Sequence, residues 1–327
     1  MKFIGIMVAL GAVLTGAYAT EFGTVPDSYT GIWSGRWTVA GKSSEVHAHV
    51  VRYKDRYEVK LRPKPDSRLK PLAGFHFLAE TLKPVESMEL NILDDAMSGT
   101  VNGAEFDLKR VNFKPSPTLG KKAPEDAVVI FDGSGVDALK SAIGKREIGW
   151  KLVEGGAIEV SGKDKGKKFK QDIRTRAEFG DYELHAEFKL PYMVDQVGQQ
   201  RANSGIFHYG LYETQVLDSF GLYGKYDEAG GIYKIREPDS NAVYPPGLWQ
   251  TYDVIARAAR FDAQGKKIKD VRLTVRLNGV LIHEDVAGDF SKLTKRTAAR
   301  GEHPTGPIIF QDHANPVQYR NIWVRPL

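Results

Sequence analysis

In the stretch Tyr212-Glu-Thr-Gln-Val-Leu-Asp-Ser-Phe-Gly221 two carboxylic acids bracket an amide. Side chains alternate across an extended chain, so Glu213 and Gln215 share one face while Tyr212, Thr214 and Val216 share the other. A bulge near Leu217 would bring Asp218 round to the Glu213 side, because a bulge re-aims the side chains that follow it. Two acids and an amide on one concave sheet face suit a hydroxyl-rich ligand. The competing reading is an edge strand whose polar face is merely solvated. Gly306-Pro-Ile-Ile-Phe-Gln-Asp-His313 carries apolar residues that deliver Gln311, Asp312 and His313 together to a strand end. A histidine there can titrate near neutrality, unless it is only a surface side chain. Ala202-Asn-Ser-Gly205 precedes Ile206-Phe207; its small residues either let a ligand approach the backbone or simply turn the chain. Gly230-Gly-Ile-Tyr233, followed by Lys234 and Arg236, offers a ring and cations for a sugar ring or an oxyanion, with core burial of Tyr233 as the alternative.

These groups need a scaffold, and the patterning around them is that of strands. Tyr182 to Leu190 alternates, with Tyr182, Leu184, Ala186, Phe188 and Leu190 inward and Glu183, His185, Glu187 and Lys189 outward. Val271, Leu273, Val275 and Leu277 repeat the pattern before Asn278-Gly279, a hairpin signal. The last strand, Val317 to Arg325, changes phase, which a bulge at Arg320-Asn321 would produce. One short helix is expected over Val136–Ile143. Pro245 to Asp253 reads as structural, with the prolines ending a strand and Trp249 packing. Many strands separated by Gly, Pro and Asn turns predict a two-sheet jelly-roll β-sandwich over residues 126–327.

Ahead of it, residues 20–113 read as a small N-terminal β-domain. Val46–Val51 and Tyr57–Leu61 alternate around a polar turn, Asn102-Gly103 marks a hairpin, and Trp33 and Trp37 are core candidates. His47 and His49 would share a strand face, but with no third ligand nearby they read as an ordinary polar face. The Pro- and Lys-rich segment 114–125 breaks all periodicity and reads as a linker. The chain is therefore expected to be all-β throughout.

Residues 1–19 read as a secretory signal: Lys2, an apolar run from Phe3 to Leu14, and Ala17-Tyr18-Ala19 at the cleavage position. The run is too short for a comfortable membrane span, and no second one follows. With no cysteine in 327 residues there is no disulfide, thiolate metal site or lipid-anchored cysteine. A periplasmic or secreted protein without stable membrane insertion is expected. The net charge of +5 is modest and its acids and bases are interspersed. The basic run Lys163–Lys170 reads as a solvated loop; nucleic-acid binding is the alternative, and an exported location argues against it. The sequence has no Gly-x-Ser-x-Gly elbow, P-loop, dinucleotide fingerprint or His-Glu-x-x-His.

Taken in order, Phe131-Asp-Gly133, Phe179-Gly-Asp-Tyr-Glu-Leu184, Asn203-Ser-Gly205, Tyr212 to Ser219, Pro245 to Asp253, Leu277-Asn-Gly279, Gly306 to His313 and Tyr319-Arg-Asn-Ile322 resemble the 3-keto-disaccharide hydrolase family. The resemblance spans about Ala127 to Leu327 and leaves the N-terminal β-domain uncovered. There are small departures: Ala314 follows the histidine where glycine is common, and Phe131-Asp-Gly replaces the commoner Phe-Asn-Gly. The resemblance implies a concanavalin A-like lectin/glucanase jelly roll, a carbohydrate substrate and glycan breakdown in the cell envelope.

It also implies an unusual chemistry. A ketone at C3 acidifies the C2 proton, a base removes it, the C1 alcohol leaves with help from an acid, and water adds to the enone. Such a site needs a base, an acid and something to hold the enolate oxygen. Glu213 and His313 are the candidate acid and base in either order. Asp218 and Asp312 would orient them or ligate a divalent cation, the one cofactor the chemistry suggests. Asn203, Gln215, Gln311, Tyr233 and Arg236 would bind hydroxyls or the enolate. Two alternatives stand beside this one: a non-catalytic carbohydrate-binding module, and a direct glycoside hydrolase, which would need two carboxylates flanking the bond.

Overall fold

A computed structural model describes residues 22–327 apart from 67, 162, 165, 166, 169 and 170; side chains of 163–164, 167–168, 295 and 296 are likewise outside the description. The expected signal at 1–19 and the side chains of the basic run Lys163–Lys170 therefore lie outside the described residues.

The first unit is one antiparallel seven-stranded sheet. Its order is Ala73–Leu78, Arg56–Arg62, Lys42–Tyr53, Gly31–Val39, Ala104–Val111, Ala96–Val101, Glu89–Leu93. Asn102 (φ 51°) and Gly103 (φ 74°) make one of its hairpins, because both positions require the left-handed conformation that Asn tolerates and Gly adopts freely. Trp33 is fully buried with Val46, Ala48, Val50, Tyr57, Phe75, Phe77, Phe106 and Leu108, whereas Trp37 is only packed against that core. His49 is buried beside Arg62 (3.2 Å) and against the ring of Phe220 (5.5 Å). Burial drives its pKa down to about 3, so it is a neutral packing group.

The second unit is the jelly roll. Its outer sheet runs Lys151–Val153, Ala157–Glu159, Gln318–Pro326, Tyr182–Lys189, Trp249–Arg257, Arg272–Leu277, Val280–Ala287, with Val128–Phe131 also paired to Gln318–Pro326. The facing sheet runs Tyr212–Val216, Ser204–His208, Ile309–Phe310, Ile173–Thr175, Leu139–Ser141. Between them lie Tyr182, Leu184, Ala186 and Phe188 from one side and Ile206, Tyr212, Val216, Phe310 and Ile173 from the other. Asn321 (φ 44°) sits where the pairing of Tyr182–Lys189 with the last strand slips between His185 and Glu187, the bulge that the phase change predicts.

One expectation needs correcting, and two strand faces are buried more deeply than alternation alone implies. Val136–Ile143 is not a helix: Leu139–Ser141 is a strand with Leu139 and Ser141 buried, paired to Ile173–Thr175, and that pairing overrides a weak helical pattern. Tyr212–Val216 is an edge strand, yet every residue in it is buried. The segment 228–236 lies along its open edge, with Gln215 N–H bonded to Gly231 O, Gly230 N–H to Gln215 O and Tyr233 N–H to Glu213 O. The outward face of Tyr182–Lys189 is not solvated at its centre either. Segment 116–121 straps across it: Thr118 donates to Asp253 (2.6 Å), Gly120 N–H to Glu187 (2.6 Å), and Asn321 bonds Lys121 O (3.0 Å). His185 and Glu187 are fully buried beneath it.

Candidate active site

The outer face of the five-stranded sheet carries a cavity of about 200 Å³. Strand alternation and register together build its floor. Glu213 pairs with Phe207, and Gln215 with Gly205. Gln311 N–H bonds Gly205 O, and Asp312 N–H bonds the Asp172 carboxylate (2.9 Å), which closes the row across to the next strand. Gln215, Gly205, Gln311 and Asp172 thus form one rank across the sheet, with Glu213 and Phe207 in the next. Gly205 matters here, because a Cβ at that position would stand 2.1 Å from the Glu213 carboxylate oxygen. A glycine in mid-strand is the space in which the acid sits.

Glu213 is only 7% exposed. Burial pushes its carboxyl up to about 8, and the nearby Asp172 carboxylate adds like-charge repulsion in the same direction. At neutral pH it is therefore largely protonated and can donate. His313, Tyr233, Asn203 and Gln311 line the same cavity. Asn203 Oδ1 and Gln311 Oε1 are buried acceptors with no hydrogen-bond partner among the described residues. Orphaned buried carbonyl oxygens are costly unless something donates to them, and hydroxyl groups are suitable donors. Gln215 lines the cavity but is occupied: its amide nitrogen reaches Gln199 Oε1 and Asp227 O (both 3.3 Å), and its oxygen accepts from Val216 N–H (3.1 Å). It braces the wall.

The sheet does not bring every candidate to the cavity. Asp218 lies outside it, 4% exposed and bound to Arg201 (2.6 Å). The buried guanidinium needs a counter-ion, and it holds Asp218 away from Glu213 in place of the expected swing. Arg236 is likewise outside, bonded to His283 (3.0 Å) and Asp239 (2.8 Å). Asp312 is buried with both oxygens engaged by backbone, Oδ2 by Gln171 N–H and Oδ1 by Ala314 N–H (2.9 and 2.8 Å), so it shapes the loop that carries His313. Asp218 and Asp312 consequently do not fit a shared cation. No group of three or more His, Cys, Asp or Glu arranged for a metal occurs among the described residues.

Sequence reasoning missed Asp172, Gln199, Lys292 and Arg300, all of which line the cavity, and Lys234 lines it with them. Asp172 precedes the short strand Ile173–Thr175 in a segment whose pairing partners are far away in sequence, so nothing local marks it. Of the two cations that the sequence offers after Tyr233, Lys234 reaches the cavity and Arg236 does not. Lys234 occupies φ 63°, where a turn ordinarily takes glycine.

The 3-keto-alpha-glucoside-1,2-lyase-like domain model matches residues 126–325. The chain belongs to that family. Membership makes residues 126–325 a carbohydrate-active domain and leaves the seven-stranded sheet outside the match. A crystal structure from Parabacteroides distasonis, of a protein described as a candidate glycosyl hydrolase, is 34% identical. It covers 63% of this chain and 86% of that one, with a TM-score of 0.54. A second candidate glycosyl hydrolase from the same organism is 22% identical, covering 62% of this chain and 95% of that one with a TM-score of 0.47. No curated protein matches the chain.

Proposed function

We propose that the cavity cleaves 3-keto-glycosides by elimination followed by hydration, with Glu213 as the acid and His313 as the base. The observation that carries this reading is the buried Glu213 carboxyl, raised to about 8 inside a cavity lined by polar groups. A carboxyl that stays protonated at neutral pH can protonate a leaving alkoxide, as an ordinary glutamic acid cannot. The imidazole of His313 takes the C2 proton. The electron pair forms the C1–C2 double bond as the C1–O bond breaks, and Glu213 gives its proton to the departing oxygen. Water then adds at C1 and a proton returns to C2, so the sum is hydrolysis. Asn203 Oδ1 and Gln311 Oε1 accept from sugar hydroxyls, and Lys234 and Tyr233 at the rim can hold the enolate oxygen.

Turnover in deuterated water should place deuterium at C2 of the product, and an unoxidised glycoside should not be cleaved. The presence of Asp172 and Glu213 in one cavity favours a second reading, direct hydrolysis with a carboxylate pair. That route cleaves the unoxidised glycoside and leaves C2 unlabelled, so one experiment separates the two. The N-terminal signal pattern extends the proposal to an exported protein, whose isolated mature form should begin near Thr20 by N-terminal sequencing; an intact Met1 on the exported protein would count against it.

A further inference from the structure

Two short segments flank the strands that carry the cavity, and both are fastened to the N-terminal sheet. From the first, Arg201 (2% exposed) binds Asp218 of the second at 2.6 Å, and Asp218 N–H donates to Arg201 O. The same guanidinium donates to Arg52 O (3.1 Å) and lies 4.7 Å from the ring centroid of Tyr53, both at the end of strand Lys42–Tyr53. Lys54 N–H, in the following turn, bonds Val194 O at 3.0 Å. Further along the second segment, a Cβ at Gly221 would stand 2.9 Å from Val51 and 3.2 Å from His49, so the two units approach closely there too.

The fastened segment is also the wall of the cavity. Next to Arg201, Ala202 is fully buried at φ 52°, a conformation that an L-residue keeps only when its surroundings impose it. Asn203 follows, its amide nitrogen bonded to Gln199 O (2.8 Å) and Gln199 Oε1 (3.0 Å), while Gln199 Nε2 reaches Asp227 O (2.6 Å). Arg201 itself does not line the cavity; Gln199 and Asn203 do.

We infer that the N-terminal sheet positions the sugar-binding wall of the active site, with Tyr53 and Arg201 as positioning residues acting through Gln199 and Asn203. The sheet stacks a ring and a carbonyl against the guanidinium, the guanidinium fixes the strained Ala202 turn, and the turn sets where Asn203 Oδ1 stands. Removing the brace lets the wall move without touching Glu213 or His313. The effect should fall on binding more than on the chemical step, since the lost contacts are those made to the sugar in ground and transition states alike.

The kinetic arm of the test rests on the proposed 3-keto-glycoside activity; the structural arm does not. In the full-length protein, Tyr53→Ala should speed amide hydrogen exchange across residues 199–203 and leave the exchange of strand Tyr182–Lys189 unchanged. With a 3-keto-glycoside it should raise KM by about tenfold with kcat within about twofold, the scale of one lost polar contact. Tyr53→Phe keeps the ring under the guanidinium and should behave as wild type in both measurements. Because Arg201→Ala strands a buried Asp218 and can unfold the chain, Arg201→Lys serves as the second variant, and it should reproduce the faster exchange at 199–203. Unchanged exchange in folded Tyr53→Ala overturns the inference, as does a Tyr53→Phe variant as impaired as Tyr53→Ala. If the wild type turns over no 3-keto-glycoside, the proposed activity fails while the exchange measurements still decide the positioning role.

Discussion

Glu187 and Glu213 are the same residue type, both buried, on opposite sheets of one sandwich, and they are pushed in opposite directions. Burial alone would raise Glu187, but it accepts hydrogen bonds from His185, Asn321 and Arg320 and from Gly120 N–H, and these draw it down to about 2. Its Arg320 contact is 2.7 Å and its Asn321 contact 2.8 Å. Burial lowers the pKa of His185, but its bonds to Asp253 and Glu187 outweigh that and raise it above its usual value. At Glu213 burial acts with no such compensation, and its charged neighbour is another acid, Asp172, so the carboxyl rises to about 8. A buried carboxylate surrounded by donors is a structural tie. A buried carboxyl facing a cavity is held in the form that catalysis uses.

The largest expected contrast is in turnover. Glu213→Gln should lower kcat by about a hundred- to ten-thousandfold with the fold intact, as should His313→Ala. Glu187→Gln should leave kcat per folded molecule unchanged. Near-normal activity in both Glu213→Gln and His313→Ala would end the assignment of these residues as the proton-transfer pair.

Stability should reverse the ranking. Glu187→Ala leaves the buried Arg320 without its counter-charge and His185 with Asp253 alone, and unfolding in urea should reveal a loss of about 3–5 kcal/mol. Glu213→Gln should lose nothing at pH 8.5, because it removes a group that is costly to ionise.

The pH dependence sharpens this further, because the two linkages have opposite signs. The folded pKa of Glu213 lies above its ordinary 4.5, so the native state binds the extra proton. That contribution is fully present below about 4.5 and is lost as pH rises through about 8. The difference in unfolding free energy between Glu213→Gln and wild type should therefore grow by a few kcal/mol from pH 5 to pH 9. The folded pKa of Glu187 is depressed, so its contribution is present above 4.5 and lost as pH falls through about 2. Parallel unfolding curves for wild type and Glu213→Gln across pH 5 to 9 would remove the basis for treating the two glutamates as different.

The smallest effects belong to the wall. Gln215→Ala deletes a brace whose bonds to Gln199 and Asp227 are long, and KM should rise by only about three- to tenfold with kcat nearly unchanged. A kcat loss as large as that of Glu213→Gln would move the chemistry from the acid to the amide.

Much of this was legible in the sequence. Two-residue alternation marked the strands of the outer sheet, Asn102-Gly103 and Asn278-Gly279 marked hairpins, and the broken phase of the last strand marked the bulge at Asn321. Alternation also placed Glu213 and Gln215 on one face, because period two follows from backbone geometry alone. What lay outside that reach depended on other parts of the chain. Asp172 enters the cavity because its strand pairs with Ile309–Phe310, more than a hundred residues on by chain number. Asp218 is claimed by Arg201, and Arg236 by His283 and Asp239. His185 and Glu187, polar on an outward face, are buried beneath segment 116–121 and against Trp323, Arg320 and Asn321. Local pattern determines which way a side chain points along its own strand. Which charge stands beside it, and whether water reaches it, are decided by distant segments that the fold brings there, and those two quantities set whether a glutamate is a tie or an acid.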